Sequence, residues 1–233
     1  MRVIKAKVRA FIQFHHELIA DVFNVRLYAL MIPLDELERG IRMYHDETAR
    51  RSYAERERDR LFQAVPMRFA SRQPPRFNRG DLEEIISWKY TDARRRKTAL
   101  LGLSALTDVT IEQATAVISG LSASTAASRL LTGVFPGVGI AGVSAILYAA
   151  HPLSFPVIDM FALVALEHFE APAWIVPLPR DNKGRPQADT SSYAPYTFYC
   201  RERAEAAHVE SGKIWTIREV DMGLWGLGKS LPD

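Results

Sequence analysis

The residues best suited to chemistry lie in the stretch Phe135-Pro136-Gly137-Val138-Gly139-Ile140-Ala141 and at a carboxylate, Asp159, placed 22 residues after Gly137. Two glycines one residue apart, with Pro before them and helix-compatible apolar residues after, predict a tight turn between two helices. Glycine takes φ > 0 without strain and lets the backbone come close to a ligand. The first amides of the second helix lack internal partners and sit at the positive end of its dipole. Gly137, Val138, Gly139, Ile140 and Ala141 are therefore expected to grip one phosphate. A ten-residue helix covers about 15 Å, after which the chain can bring Asp159 back beside the turn. A carboxylate there can stabilise a sugar cation or position water. The competing reading is that Asp159 caps the helix that follows it.

The elements that must position these groups read as mostly helical, with little strand pattern and no internal repeat. Spaced apolar residues over 8–31 suit an interrupted buried helix. Residues 35–64 alternate acid and base and predict one long, salt-bridged, solvated helix, the alternative being a face that tracks phosphates. Pro74 and Pro75 make 71–80 a loop, after which Asn78 or Asp81 caps a helix over 81–90. Short helices follow over 92–107 and 111–120, the second capped by Thr110, then an Ala/Ser-rich helix over 122–131. The hairpin helix runs from 140 to 150. Phe155-Pro156-Val157-Ile158 is extended, and another helix reaches Phe169. The Pro-rich stretch 171–195 is a long loop, followed by a helix over 195–209 and a last one opened by the capping box Thr216-Ile217-Arg218-Glu219.

Composition narrows the functions. With 233 residues and 48% apolar content the chain can bury a substantial core. Its single cysteine, Cys200, excludes an internal disulfide framework, a four-cysteine iron–sulfur cluster and a cysteine-based zinc finger, and is expected to be a small buried hydrophobe. His15, His16 and His45 have no metal-ligand companions at useful spacing, so no side-chain metal site is expected. The basic start is interrupted by His15, His16, Glu17 and Asp21, which argues against a signal peptide, and a reducing cytoplasm is the expected compartment. Residues 130–158 carry no charged side chain, yet Pro136, Pro152, Pro156 and four glycines break the run, so no membrane span is expected. Net charge is +3, and Arg heavily outnumbers Lys among 30 basic residues. That bias fits phosphate contacts, or simply a GC-rich coding sequence.

Pro136-Gly137-Val138-Gly139 followed by Phe155-Pro156-Val157-Ile158-Asp159 resembles the helix-hairpin-helix (HhH-GPD) DNA glycosylase superfamily, which includes endonuclease III and the adenine glycosylases. Ile85-Ile86-Ser87-Trp88-Lys89-Tyr90-Thr91-Asp92 is similar to the family's S-x-Q-x-T-D stretch, with Lys89 where the family's duplex-wedging Gln stands. The resemblance covers about residues 81–169. It implies an all-α fold of two helical lobes with a cleft between them: 81–158 as the hairpin lobe, with 1–80 and 159–233 building the second. It implies Asp159 as the catalytic group, Lys89 as the wedge and a monovalent cation on the hairpin carbonyls, with no other cofactor.

The departures set the expected activity. The position of the family's Schiff-base lysine is Ala141, the cluster cysteines are missing, and Met160-Phe161-Ala162 replace the basic residues that often follow the Asp. The expectation is a monofunctional DNA N-glycosylase acting as a monomer on double-stranded DNA with a damaged or modified base. The alternatives are a non-catalytic helix-hairpin-helix DNA-binding protein and a hairpin used for protein docking. Trp88 and Tyr90 either contact a base or belong to the core. Tyr148 faces either a pocket or the core. Arg94-Arg95-Arg96-Lys97 either track phosphates or form a solvated face. Trp215 and Trp225 are expected to anchor the last helix.

Overall fold

A computed structural model describes residues 31–121, 131–170 and 172–232. Over these residues the chain is all-α and multi-helical, and the one β-type pairing among them is an isolated bridge between Arg180 and Pro186. The helices are α1 (Leu34–Ala49), α2 (Tyr53–Ser71), α3 (Arg79–Lys89), α4 (Ala93–Ser104) and α5 (Asp108–Ala116), the last continued by a 3-10 turn at Val117–Gly120. Then come α6 (Ile140–Ala150), α7 (Met160–Phe169), α8 (Tyr193–Ser211) and α9 (Ile217–Ser230). Residues 131–134 are also helical. The helix expected over 8–31, with His15 and His16, and nearly all of the one expected over 122–131 lie outside the described residues.

Two expectations are corrected. The charged stretch 35–64 is not one helix. The chain turns at residues 50–52, where Ser52 Oγ accepts from the Glu55 amide and the Glu55 carboxylate accepts from the Ser52 amide, and this capping box starts a new helix. Likewise Thr107 rather than Thr110 caps α5, since Thr110 N donates to Thr107 Oγ1 at 3.1 Å. Asn78 caps α3 in a reciprocal box with Asp81, and Thr216 with Glu219 caps α9.

α6 is apolar on every side and accordingly lies inside the molecule. Val143, Ile146 and Leu147 from α6 bury against Ile85 and Ile86 of α3, with Phe62 of α2 close by. Each such fully buried side chain stabilises the fold by roughly 1.5–3 kcal/mol. Among the described residues no helix is long and apolar enough to cross a membrane.

α9 rests on α1 and α7 almost backbone to backbone. A Cβ on Gly40 would lie 2.1 Å from the Gly223 carbonyl oxygen, and one on Gly228 1.8 Å from that of Phe161. Only glycine fits that seam. Cys200 is wholly buried in α8, and burial pushes its thiol well up, away from the reactive thiolate.

Candidate functional site

The hairpin turn forms as its sequence dictates. Gly137 has φ +75°, and an added Cβ there would sit 2.9 Å from the Thr98 carbonyl oxygen. Gly139 is the N-cap of α6 and has no side chain to offer as a cap, so the amides of Ile140 and Ala141 face outward without intrahelical partners. The turn is held from below by α4, where a Cβ on Gly102 would collide with the Pro136 carbonyl at 1.6 Å. Tyr90 supports it from the side. Burial raises the Tyr90 hydroxyl pKa, opposed by hydrogen bonds from the Gly139 and Gly142 amides. Tyr90 is thus a prop for the hairpin as well as a groove residue.

The carbonyls of Phe135 and Gly139 accept backbone amides, whereas those of Gly137 and Val138 accept none among the described residues. Neutral carbonyls without a carboxylate suit a weakly held monovalent cation better than a divalent one. Among the described residues no group of three His, Cys, Asp or Glu side chains is placed to hold a metal ion.

Asp159 caps α7. Its Oδ1 accepts from the Phe161 amide at 3.1 Å, so the capping reading holds. Its Oδ2 does something further. Lys89, the last residue of α3, donates to it at 2.8 Å and to the Ile158 carbonyl at 3.1 Å. The Lys89 side chain is 8% exposed and that of Asp159 26%. In this arrangement Lys89 does not stand free as a wedge. Its ammonium is held against the carboxylate.

This ion pair sits where two hollows meet. On one side is a groove of about 840 Å³ lined by the hairpin residues Gly137, Gly139, Ile140 and Ala141 and by Arg94 and Arg95 of α4. On the other is a pocket of about 150 Å³ whose walls include Tyr44, Trp88, Arg218 and Trp225. Lys89, Thr91, Asp159 and Phe161 line both. Arg94 and Arg95 are exposed, while Arg96 donates back to the Tyr90 carbonyl at 3.2 Å.

Trp88 lies between the two readings given for it. Its ring stacks on Phe62 at 3.8 Å, nearly parallel, and its indole N–H donates to Asp59 at 3.0 Å, yet it also lines the pocket. Trp225 meets Tyr44 and Phe161 edge-on, at 5.4 and 5.7 Å. It anchors α9, as Trp215 does through packing on the core and a bond to Ser211. Tyr148 stacks near Phe62 under the Arg218 guanidinium, beyond the residues that line the pocket.

The pocket also holds an ionic cluster that spacing did not reveal. Arg218 is surrounded by the rings of Tyr44, Trp88 and Tyr148 at 5.3–6.0 Å and is ion-paired with Asp221. Burial works against its charge, but Asp221 overrides that and holds the guanidinium firmly protonated. Burial pushes the Asp221 carboxyl up, opposed by Arg218 and by the Tyr196 hydroxyl, which donates at 2.5 Å. Asp221 also accepts from the Val157 amide at 3.4 Å, which ties α9 to the segment leading into Asp159. The only sequence signal for this cluster was the i,i+3 spacing of Arg218 and Asp221 after a capping box. The acid–base run at the start of α2 also contributes, since the Arg51–Asp59 pair at 2.8 Å lines the pocket.

Set against protein-family models, curated proteins and solved structures, the chain matches none.

Proposed function

We propose that this protein is a DNA N-glycosylase that hydrolyses the bond between a damaged or modified base and its sugar. The observation that carries this reading is the Lys89–Asp159 pair at the junction of the hairpin groove and a small aromatic-walled pocket. A flipped nucleotide has three parts in line. Its phosphate would lie on Gly137, Val138, Gly139, Ile140 and Ala141, its sugar beside Asp159, and its base in the pocket. The hairpin elements and the elements carrying the far pocket wall would then act as two lobes about one cleft.

The charges of the pair match those that develop in the reaction. As the glycosidic bond breaks, its electrons leave with the base and the sugar becomes an oxocarbenium-like cation. Asp159 stabilises the cation, and the Lys89 ammonium donates a proton to the departing base. Water then adds to the sugar carbon and loses a proton to the pair, giving free base and an abasic site. A wedge role for Lys89 requires it to leave this pair during binding. Trp88 stacks against the base, and Tyr90 acts through the hairpin. The Gly137 and Val138 carbonyls would hold a monovalent cation, which adds positive charge for the phosphate.

The test is base release from duplexes carrying a panel of modified bases, with free base read by mass spectrometry. Wild type is expected to release base and leave an alkali-labile site, while Asp159→Asn binds DNA and releases on the order of 10²- to 10³-fold less. Turnover by Asp159→Asn at the wild-type rate overturns the assignment of Asp159. Salt-dependent binding with no release from any duplex favours the non-catalytic binding module. Ala141 offers no amine, so borohydride during turnover is expected to trap no covalent adduct. A trapped adduct lost in Lys89→Gln would show that Lys89 attacks the sugar itself.

A further inference from the structure

Helix α8 has two unlike faces. Tyr193, Tyr196, Cys200 and Ala207 are buried against the rest of the molecule. Phe198, Arg201, Glu205, His208 and Val209 are exposed. Their spacing of i, i+3, i+7, i+10 and i+11 puts them on one stripe. A groove of about 400 Å³ lies along this stripe, lined by Arg201, Glu205 and His208 of α8 and by Leu153, Ile214 and Trp215 from outside it.

The face is more apolar than a solvated surface requires. Phe198 is 55% exposed, Val209 76%, Leu153 78% and Ile214 84%. Scattered apolar side chains are ordinary on a surface, whereas several gathered on one face mark a contact site. Its charges are also uncommitted. Arg201 and Glu205, one turn apart in the middle of the stripe, form no hydrogen bond or ion pair among the described residues. Glu202 stands at the edge of the stripe and does not line the groove.

We infer that this face joins two copies of the chain, with α8 packed antiparallel on α8 about a twofold axis beside Arg203 and Ala204. A twofold axis makes every contact twice, so the face must be complementary to itself. The order of residues along the stripe meets that demand. About this centre Phe198 comes opposite the partner's Val209, and Arg201 comes opposite the partner's Glu205. Apolar ends then meet apolar ends, and a cation meets an anion between them. A parallel pairing would set Arg201 against Arg201 and Glu205 against Glu205. A partner of different sequence would require no such symmetry. The contact is about one helix wide, so the dimer belongs to the small, reversible class. This departs from the monomer expected from the sequence, and it does not rest on the glycosylase reading.

The experiment is sedimentation equilibrium of the full chain over a range of concentrations at low salt. Wild type is expected to give a concentration-dependent mass that levels off at two chains. Arg201→Glu and Glu205→Arg each set like charges opposite one another and are expected to weaken the dimer on the order of tenfold or more. The double variant restores opposite charges and is expected to return close to wild type. Val209→Lys, at an exposed position near the helix C-terminus where a cation suits the dipole, is expected to weaken association as strongly without unfolding the chain. A wild-type monomer at the highest soluble concentration overturns the inference. So does a mass that grows past two chains, a dimer indifferent to Val209→Lys, or a double variant no better than the single ones. A thiol placed by Val209→Cys reports on other occupants, since Cys200 is wholly buried. If that thiol is shielded from a thiol reagent while the chain is monomeric, another segment of the same chain covers the face, and the inference falls.

Discussion

The pocket and the groove meet at Asp159 but hold their charge in opposite ways. In the pocket the ionic groups are mostly paired within the protein: Arg51 with Asp59, Lys89 with Asp159, and Arg218 with Asp221 inside a ring of aromatics. In the groove the positive character comes from backbone amides at the start of α6 and from Arg94 and Arg95, which reach into solvent. Paired, desolvated charge fixes geometry and discriminates between small ligands. Unpaired, solvated charge attracts a polyanion at range and is screened by salt. Substitutions on the two sides are therefore expected to fail differently.

The largest effect is expected in the pocket. Asp221→Ala leaves the largely buried Arg218 charge without its partner and releases Tyr196 and the Val157 amide, costing about 3 kcal/mol in a denaturant melt. A loss below 1 kcal/mol would place the pair in contact with water and end the contrast. Next is Gly137→Ala. Its φ of +75° and the nearby Thr98 carbonyl predict a loss of about 1–2 kcal/mol, with DNA affinity falling alongside. A variant as stable as wild type with unchanged affinity would show that the turn grips nothing.

Smaller still, Arg94→Gln and Arg95→Gln should leave stability within about 0.5 kcal/mol of wild type. Each should lower the slope of log affinity against log salt by about one. An unchanged slope for both would remove α4 from the proposed phosphate contacts.

The smallest effect is a control at the far end of α7. Burial holds the Glu170 carboxyl above its ordinary 4.5, against the pull of the Tyr199 hydroxyl and the Ile32 amide. The folded state therefore binds this proton more tightly than the unfolded chain does. That contribution is complete below the ordinary value and is lost as pH rises through the folded one. Glu170→Gln should flatten that part of the stability curve without altering DNA binding, and an unchanged curve would show that Glu170 titrates normally.

What could be read from the sequence divides along the same line. The hairpin was legible because its conformation is set locally, by Gly137 at positive φ and by the missing cap at Gly139. Asp159 was legible as a cap for the same reason, as were a cap at Asn78 or Asp81 and the box at Thr216, whereas the reciprocal box joining Asn78 to Asp81 was seen only in the structure. The break between α1 and α2 was missed although Ser52-Tyr53-Ala54-Glu55 carries the same S/T-x-x-E signature, because the charge pattern runs through residues 50–52 without a Gly or Pro to interrupt it. The pocket was least legible. Lys89 meets Asp159 across 70 residues and Arg218 meets Tyr44 across 174, and no local pattern encodes a contact that depends on how helices cross. Trp225 read as an anchor because an aromatic at helical spacing looks the same whether it faces core or cavity.

The glycine seam along α9 has a mechanical consequence. Arg218, Asp221 and Trp225 ride on a helix whose backbone touches that of α1 at Gly40 and that of α7 at Phe161. Side chains in a core can change rotamer to absorb a displacement, but two backbones in contact have no such slack. The wall carrying Arg218 and Trp225 therefore moves as one piece with Tyr44, or does not move. Any narrowing of the pocket would have to come from the opposite wall, where Trp88 and Lys89 end α3 and the chain becomes non-helical at Tyr90. One jaw of the pocket is in effect fixed, and it is held so by the absence of side chains.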